Sequence, residues 1–197
     1  IAIDREPFNI DNFGVKTFLD SQATIYDNTY YTNNFGANFR NNQKKYNYTL
    51  GLSVQPATII GFQEIRKIET RQNVINYFPV ARFAYNFSRS KSLNFNYNGR
   101  SNQPTFSQLQ PVVDNSNLQS VIVGNPDLRP EFTHRVGARY NNFNFITGTV
   151  FFGSINFSLT DAKVVNDVYT KGFGVQETRY RNAGGTYISS AFYNYSR

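Results

Sequence analysis

The 197-residue sequence has no cysteine, methionine or tryptophan and only one histidine, His134. The absence of cysteine excludes disulfides, catalytic thiolates and zinc–thiolate sites. A metal-binding or catalytic role for His134 would need partners, and no second histidine or cysteine exists to supply them. We therefore interpret His134 as a polar residue on an otherwise aromatic strand face. No catalytic triad, nucleotide-binding loop or carboxylate pair is found, so we expect a protein that is not an enzyme and needs no cofactor.

Charge and long apolar runs are also scarce. Charged residues make up 17% of the chain, against about 25% in typical soluble domains. No segment approaches the roughly 18 apolar residues of a membrane-spanning helix, so any membrane crossing must be made by strands. No signal peptide is found at Ile1. What the chain does have is 19 Phe and 14 Tyr, diluted by asparagine, which suits an all-β protein with one apolar and one wet face.

Apolar and polar residues alternate with a period of two along much of the chain, as expected for strands. In residues 91–100, for example, Leu93, Phe95 and Tyr97 alternate with serine and asparagine. An eighth strand is expected within residues 13–26, and most strands reach the roughly 9–11 residues that cross a bilayer at a tilt. The other seven are predicted at about 29–41, 44–56, 74–88, 91–103, 130–142, 147–162 and 176–197.

The predicted connections alternate in length. Tight turns are expected at 41–43, 88–91 and about 142–146, and long loops at 57–73, 104–129 and 164–175. Short turns on one rim and long loops on the other are typical of outer-membrane barrels, in which the short turns are periplasmic. The predicted fold is therefore an antiparallel transmembrane β-barrel. A soluble β-sandwich is the alternative, although Tyr and Phe dominate the apolar face here, as in membrane aromatic girdles.

One segment joins a predicted long loop to a predicted strand, and its sequence is GNPDLRPE: Gly124, Asn125, Pro126, Asp127, Leu128, Arg129, Pro130 and Glu131. Pro130 fixes its own φ and biases Arg129 away from the helical region. The segment resembles the loop-to-strand motif of TonB-dependent outer-membrane receptors, especially the outer-membrane β-barrel family of the Bacteroidetes, where GNP-x-L-(K/R)-PE is common. From about Asp20 to Arg197 the chain is similar to that family in order and spacing, notably in YTNNFGANFRNNQKKYNYTLGLSVQ, NFSRSKSLNFNYNGRSNQPTFSQLQP and YRNAGGTYISSAFYNYSR.

The resemblance implies a barrel of about 22 strands, closed by a plug domain, in the outer membrane of a Gram-negative bacterium. It implies import of a nutrient or ligand, driven by the TonB system. The sequence departs from the family pattern because it shows no plug, no TonB-contacting segment before Ile1 and no terminal aromatic residue. We expect residues 1–197 to form one partial barrel domain of about 7–8 strands. Missing residues or another chain must then pair its open edges, which lipid does not tolerate.

Basic residues give the chain a net charge of +7. If the Phe and Tyr face contacts lipid, the basic residues of the strands fall on the opposite, lumen face: Arg40, Lys45, Arg82, Arg100, Arg135 and Arg139. An arginine or lysine at the bilayer midplane would cost about 2–4 kcal/mol on the lipid face. This placement argues against nucleic-acid binding. Either these residues dock carboxylates of a plug domain, or they form an electropositive wall for an anionic solute.

The remaining charged residues are interpreted more simply. Glu64, Glu69, Arg66, Lys67 and Arg71 are expected to form a solvated loop surface. Asp114, Asp127, Asp161 and Asp167 lie in or near predicted external loops, where cations could bridge them to lipopolysaccharide, although their spacing is unlike that of a calcium loop.

Three classes of function stay open. The first is the barrel of an importing receptor, with the bilayer, lipopolysaccharide, the plug and the TonB system as partners, and with a surface lipoprotein or other barrel-completing chain as a further candidate partner. The second is a structural or assembly barrel that scaffolds a partner complex without transport. The third is a secreted, lectin-like β-sandwich, which would stay soluble without detergent.

Overall fold

The computed structural model describes residues 2–5, 8–10, 16–18, 24–63, 67–109, 113–117 and 119–197. The described residues form fifteen strands, the short helix α1 (Phe106–Leu109) and the 3-10 turn η1 (Gly172–Gly174). No helix among them is both long and apolar enough to span a membrane.

The first eight strands are β1 Ala2–Arg5, β2 Phe8–Ile10, β3 Lys16–Phe18, β4 Thr24–Thr32, β5 Phe35–Asn42, β6 Tyr46–Gln63, β7 Ile68–Ser88 and β8 Lys91–Asn102. The other seven are β9 Val113–Asn117, β10 Ser120–Val123, β11 Glu131–Asn144, β12 Thr149–Asp161, β13 Lys163–Thr170, β14 Gln176–Ala183 and β15 Thr186–Ser196.

The main sheet is antiparallel, in the order β1-β4-β6-β7-β8-β11-β12-β15, with β5 also paired to β6. β4 and β5 lie end to end along β6, and the break between them falls opposite Pro56. The Pro56 carbonyl still accepts a hydrogen bond from the Asn33 amide at 3.2 Å, but proline has no N–H to continue the ladder. The predicted strand at 29–41 is therefore two strands. Within the described residues the sheet ends at β1 and β15 and is not closed.

The strand registers place the two kinds of side chain on opposite faces. Phe95 pairs with Phe83 and Ala138, and Ala138 pairs with Ile155. One face, called the apolar face below, therefore holds Phe83, Phe95, Tyr97, Val136, Phe151 and Phe157. The other, called the polar face, holds Ser92, Asn94, Asn96, Arg135 and Ser154.

The apolar face is not buried against a second sheet. Phe95 is 44% exposed and Phe157 is 42% exposed, whereas a β-sandwich would bury this face in its core. The sandwich alternative is therefore wrong for the described part of the chain. The β-strand prediction and the antiparallel pairing of neighbouring strands are confirmed.

The predicted long loop at 57–73 is wrong. β6 and β7 are 18 and 21 residues long and stay paired in one unbroken register, from Tyr46 with Tyr85 to Gln63 with Ile68. Of the predicted charged cluster, Lys67 lies in the tip of this hairpin with φ 53°. Glu69 and Arg71 lie on β7, and Glu64 and Arg66 lie outside the described residues.

The other two predicted long loops form a second sheet, in the order β13-β14-β10-β9. β13 and β14 form a hairpin, and β10 pairs with β14 in parallel. The predicted strand at 176–197 is consequently split at Gly184 and Gly185, because β14 joins this second sheet while β15 joins β12 in the main sheet. The predicted short turn at 88–91 is confirmed, whereas the other two lie two to three residues later than predicted, at 43–45 and 145–148. Gly148, at φ +68°, provides the left-handed residue before β12.

The buried apolar side chains of the described residues lie at the long-loop end of the main sheet. They are Ala57, Ile59, Leu109 and Leu128, each at most 4% exposed. Ile59 pairs with Gln72, and the side-chain Nε2 of Gln72 donates to the Leu128 carbonyl at 3.5 Å. The residues around Leu128 therefore fold over the polar face of the β6–β7 hairpin.

Candidate functional site

The centre of the polar face is built around Gly137 on β11. Asn96 on β8 and Asn156 on β12 pair with Gly137 from either side. A Cβ at Gly137 would lie 2.6 Å from Asn96 Oδ1 and 3.2 Å from Asn156 Oδ1. The missing side chain thus lets two amide groups converge between Arg135 and Arg139, which point to the same face two residues on either side.

Two open cavities flank this centre. The cavity beside Arg139 has a volume of about 400 Å³, and its other polar-face residues are Asn94, Asn96, Asn141, Ser154 and Asn156. The cavity beside Arg135 has a volume of about 200 Å³, and its other polar-face residues are Asn96, Asn98, Asn156, Ser158, Ile188 and Ser190. Amides, hydroxyls and guanidinium groups of this kind can recognise carboxylates and other oxygen-rich surfaces.

The predicted arginines form a band across the polar face. Arg40 pairs with Thr49, Thr49 pairs with Arg82, and Arg82 pairs with Asn96. Arg40 and Arg82 are therefore two strands apart, about 10 Å, in the same row as Gly137. Arg100 lies apart from this row because it pairs with Thr133, nearer the long-loop end. Lys45 was expected on a strand, but it lies in the turn before β6.

These arginines have few partners within the described part of the chain. Arg40 Nε donates to Asn42 Oδ1 at 3.2 Å, and the Arg139 guanidinium lies 5.5 Å from the centre of the Phe152 ring. The side chains of Arg82, Arg100 and Arg135 have no hydrogen-bond or ion-pair partner among the described residues. All three of these arginines are exposed on this face.

The GNPDLRPE segment forms a corner that is held by Asn125. The Asn125 amide N–H donates to the Gln108 carbonyl at 2.6 Å, and its side-chain Nδ2 donates to the Tyr180 carbonyl at 3.0 Å. Asn125 Oδ1 accepts from the Asp127 amide at 2.9 Å, which closes the turn at Pro126. The backbone and side chain of this one residue therefore join the turn, α1 and β14.

The second half of the corner is held across a long sequence distance. The Arg129 amide donates to Asn182 Oδ1 at 2.9 Å, and Asn182 Nδ2 donates to the Arg129 carbonyl at 3.0 Å. Glu131 Oε1 accepts from the Val164 amide at 2.8 Å. The motif residues thus fasten the long 103–130 connection to the β13–β14 hairpin, and β11 begins at Glu131.

An ion cluster around a buried glutamate in the second sheet was missed by the sequence analysis. The Glu177 side chain is only 5% exposed and forms ion pairs with Lys171 Nζ and Arg179 Nε. Hydrogen bonds from Lys171 and then Arg179 lower the pKa of Glu177 below its usual 4.5. A single glutamate between two basic residues was the available signal, but Lys171 was expected in a loop and Glu177 and Arg179 at the start of a strand, so their contact was not predicted. Asp167 pairs with Arg181 and raises the pKa of that guanidinium, and its contact with lipopolysaccharide stays a prediction.

Comparison with known families decides what kind of protein carries these features. The model of the outer membrane protein beta-barrel family matches residues 4–197. The chain belongs to this family. The family-level interpretation of the sequence, the barrel fold class and the location in the outer membrane are thereby confirmed, whereas an origin in the Bacteroidetes stays a prediction.

A solved relative supports the same fold for this barrel. The siderophore receptor PirA from Pseudomonas aeruginosa superposes with a TM-score of 0.59 at 12% sequence identity, over 87% of this chain and 40% of that one. The chain thus corresponds to less than half the length of that receptor. None of the curated proteins matches the sequence.

In an outer-membrane barrel the apolar face contacts lipid and the polar face lines the interior. His134 lies on the apolar face at its long-loop end, where Nδ1 is 3.1 Å from the Tyr97 hydroxyl and Nε2 is 3.7 Å from Asp161 Oδ2. The position agrees with a polar residue in the interface girdle. Among the described residues, no three histidine, cysteine or acidic side chains are grouped so as to hold a metal ion.

Proposed function

We propose that this chain is part of the barrel of a TonB-dependent receptor that imports a nutrient or ligand across the outer membrane, and that it is not an enzyme. The observation that carries the proposal is the band of arginines on the polar face, three of which have no side-chain partner among the described residues. A plug domain that fills the interior would pair these guanidinium groups with its carboxylates.

The spacing of the band favours a plug over a small solute. Arg135 and Arg139 are four residues apart on β11, roughly 13–14 Å along the strand, and the Gly137 row between them continues to Arg82 and Arg40. One small anion cannot contact both ends of this area. A folded domain with several carboxylates can, because each guanidinium fork binds a carboxylate independently.

The remaining parts of the proposed receptor lie outside this chain. They are the plug, the other barrel strands and the segment that contacts the TonB system, supplied by a longer protein or by a second chain. The proposal treats residues 1–197 as one partial barrel domain. It also places the second sheet on the cell surface, next to lipopolysaccharide.

The test replaces Arg135 and Arg139 together by glutamine in the complete protein. Solute affinity should survive, and the plug should become easier to digest with protease, because it loses two charge-assisted contacts. Lys44→Gln is the control, since Lys44 is an exposed basic residue in the turn before β6. Lost solute affinity with an unchanged plug would show instead that the arginines bind substrate.

A structural or assembly barrel is the second candidate. The ordered second sheet favours it, because that sheet is fastened to the barrel by Asn125, Asn182 and Glu131 and presents a surface that could hold a partner. Removing residues 163–183 from the complete protein separates the two. If the shortened protein still imports solute but no longer binds a partner protein, the result supports a receptor with a co-receptor. If the complete protein never takes up solute under TonB-energised conditions, the result supports the scaffold.

A further inference from the structure

Cations collect at the short-turn end of the main sheet. Lys44 and Lys45 lie in the turn between β5 and β6, Arg89 and Lys91 lie at the turn between β7 and β8, and Arg197 follows β15. The segments 28–63, 70–113, 132–160 and 178–197 contain no aspartate or glutamate. At this end, every strand of the main sheet therefore has only positive or neutral residues.

The carboxylates of the main sheet lie at its other end. Asp27 and Glu69 both pair with Phe62, close to the tip of the β6–β7 hairpin. Glu131 and Asp161 are at the first and last positions of β11 and β12. Among the described residues, the short-turn rim of the main sheet is therefore basic, and no carboxylate neutralises it.

Lys91 is directed back over the apolar face. Its Nζ lies 5.2 Å from the centre of the Phe87 ring and 5.9 Å from the centre of the Tyr140 ring. Aromatic rings attract a cation at such distances. The ammonium group is thus held at the edge of the lipid-facing surface rather than extended into the water beyond the turn.

A groove opens in the apolar face next to Tyr140. Gly153 pairs with Tyr140 on one side and Tyr193 on the other, and its missing side chain leaves a gap between the two rings. The groove has a volume of about 400 Å³, within the roughly 300–1,000 Å³ of ligand pockets. Its apolar lining includes Leu93, Ala138, Phe151, Ile155 and Ala191.

We propose that this groove and Lys91 form a binding site for one phospholipid with an anionic head group. An acyl chain lies in the groove, and the head-group phosphate contacts Lys91, with Arg89 beside it in the turn. The occupant is a lipid because this face contacts the membrane, and it is anionic because the rim is basic and free of carboxylates. With the short turns in the periplasm, the lipid comes from the phospholipid leaflet of the outer membrane and not from lipopolysaccharide.

The substitutions that test the site follow from its geometry. A Cβ at Gly153 would meet only Phe151, at 3.4 and 3.6 Å, so Gly153→Leu fills the groove without a backbone clash. Lys91→Gln removes the charge and keeps the groove. Val136→Leu on the same face, 46% exposed, controls for added apolar volume, and Lys44→Gln on the same rim controls for lost charge.

The measurement is native mass spectrometry of the complete, delipidated protein titrated with phosphatidylglycerol or phosphatidylethanolamine of identical acyl chains. One phosphatidylglycerol should bind about fivefold more tightly than phosphatidylethanolamine, the factor expected for one cation near an anionic group. Lys91→Gln should remove this preference, Gly153→Leu should weaken both lipids, and both controls should behave as the original protein. Equal binding of the two lipids, an unchanged preference in Lys91→Gln, or tighter binding of lipopolysaccharide than of phosphatidylglycerol would overturn the proposal.

Discussion

Arg129 and Asn182 hold each other through reciprocal hydrogen bonds, although 53 residues separate them in the sequence. The Asn182 side chain binds both the amide and the carbonyl of Arg129, as a neighbouring strand would. It also donates to the Ala162 carbonyl at 2.6 Å. A side chain thus replaces main-chain pairing at the point where the barrel strand β11 leaves the long connection, and the GNPDLRPE corner depends on it.

Replacing Asn182 by alanine should loosen this corner without unfolding the barrel. The change leaves the amide and carbonyl of Arg129 without their partner, and each such hydrogen bond contributes about 0.5–1.5 kcal/mol. Amide hydrogen exchange should accelerate at Arg129 and in the 103–130 connection of the complete protein. Asn166→Ala, an exposed asparagine on β13, is the control, and equal protection in both variants would contradict the assignment.

The ion pairs of Glu177 should make the stability of the second sheet depend on pH. Its pKa is lowered in the folded state by Lys171 and Arg179, so its stabilising contribution is present above the unfolded value of 4.5 and is lost as the pH falls through the lower folded value. Protease resistance of the β13–β14 hairpin should therefore stay constant from neutral pH to about 4.5 and decline below it.

The glutamine variant Glu177→Gln checks the origin of that decline. It should be more sensitive to protease at neutral pH and should show a flatter pH profile. Glu69 is an exposed glutamate at the long-loop end of the main sheet. The control variant Glu69→Gln should retain the pH profile of the original protein. A decline that persists unchanged in Glu177→Gln would assign it to other carboxylates.

A charged residue on the apolar face should destabilise the barrel, although it would be tolerated on the exposed surface of a soluble protein. Ile155 is 62% exposed, so Ile155→Arg would cost little in a soluble protein. On a lipid-facing strand near the midplane the same change costs about 2–4 kcal/mol. The free energy of unfolding of the complete barrel from lipid vesicles is the measurement. Ser190→Arg on the polar face, one strand away, is the matched control, and equal losses for both variants would refute the assignment of faces.

The absence of native cysteine makes the membrane topology directly testable. Gly172→Cys, in the turn between β13 and β14, should react with a membrane-impermeant maleimide on intact cells. Ser90→Cys, in the turn between β7 and β8, should react only after the outer membrane is permeabilised. Labelling of Ser90→Cys on intact cells would reverse the topology and would move the phospholipid site to the other leaflet.

Local sequence determined the faces of the main sheet. Phe95 and Val136 share one face, and Asn96 and Arg135 share the other, as the alternation predicted. Each residue of a membrane strand contacts either lipid or the barrel interior, so apolar residues occur on the lipid face and polar residues on the interior face. The tight turns could be predicted to within about three residues for a similar reason, since each lies where the period-two alternation of a strand ends.

Only the tertiary structure decided the parts that depend on distant partners. In β6 the alternation fails at Ile59 and Ile60, because the corner around Leu128 covers the polar face there and makes both faces apolar, so a strand was mistaken for a loop. The parallel pairing of β10 with β14 joins Ser120 to Gln176, and Glu177 became buried only when that sheet formed. Periodicity reports the surroundings of a residue along its own strand, whereas these contacts depend on which segments meet, and that is settled by the folding of the whole chain.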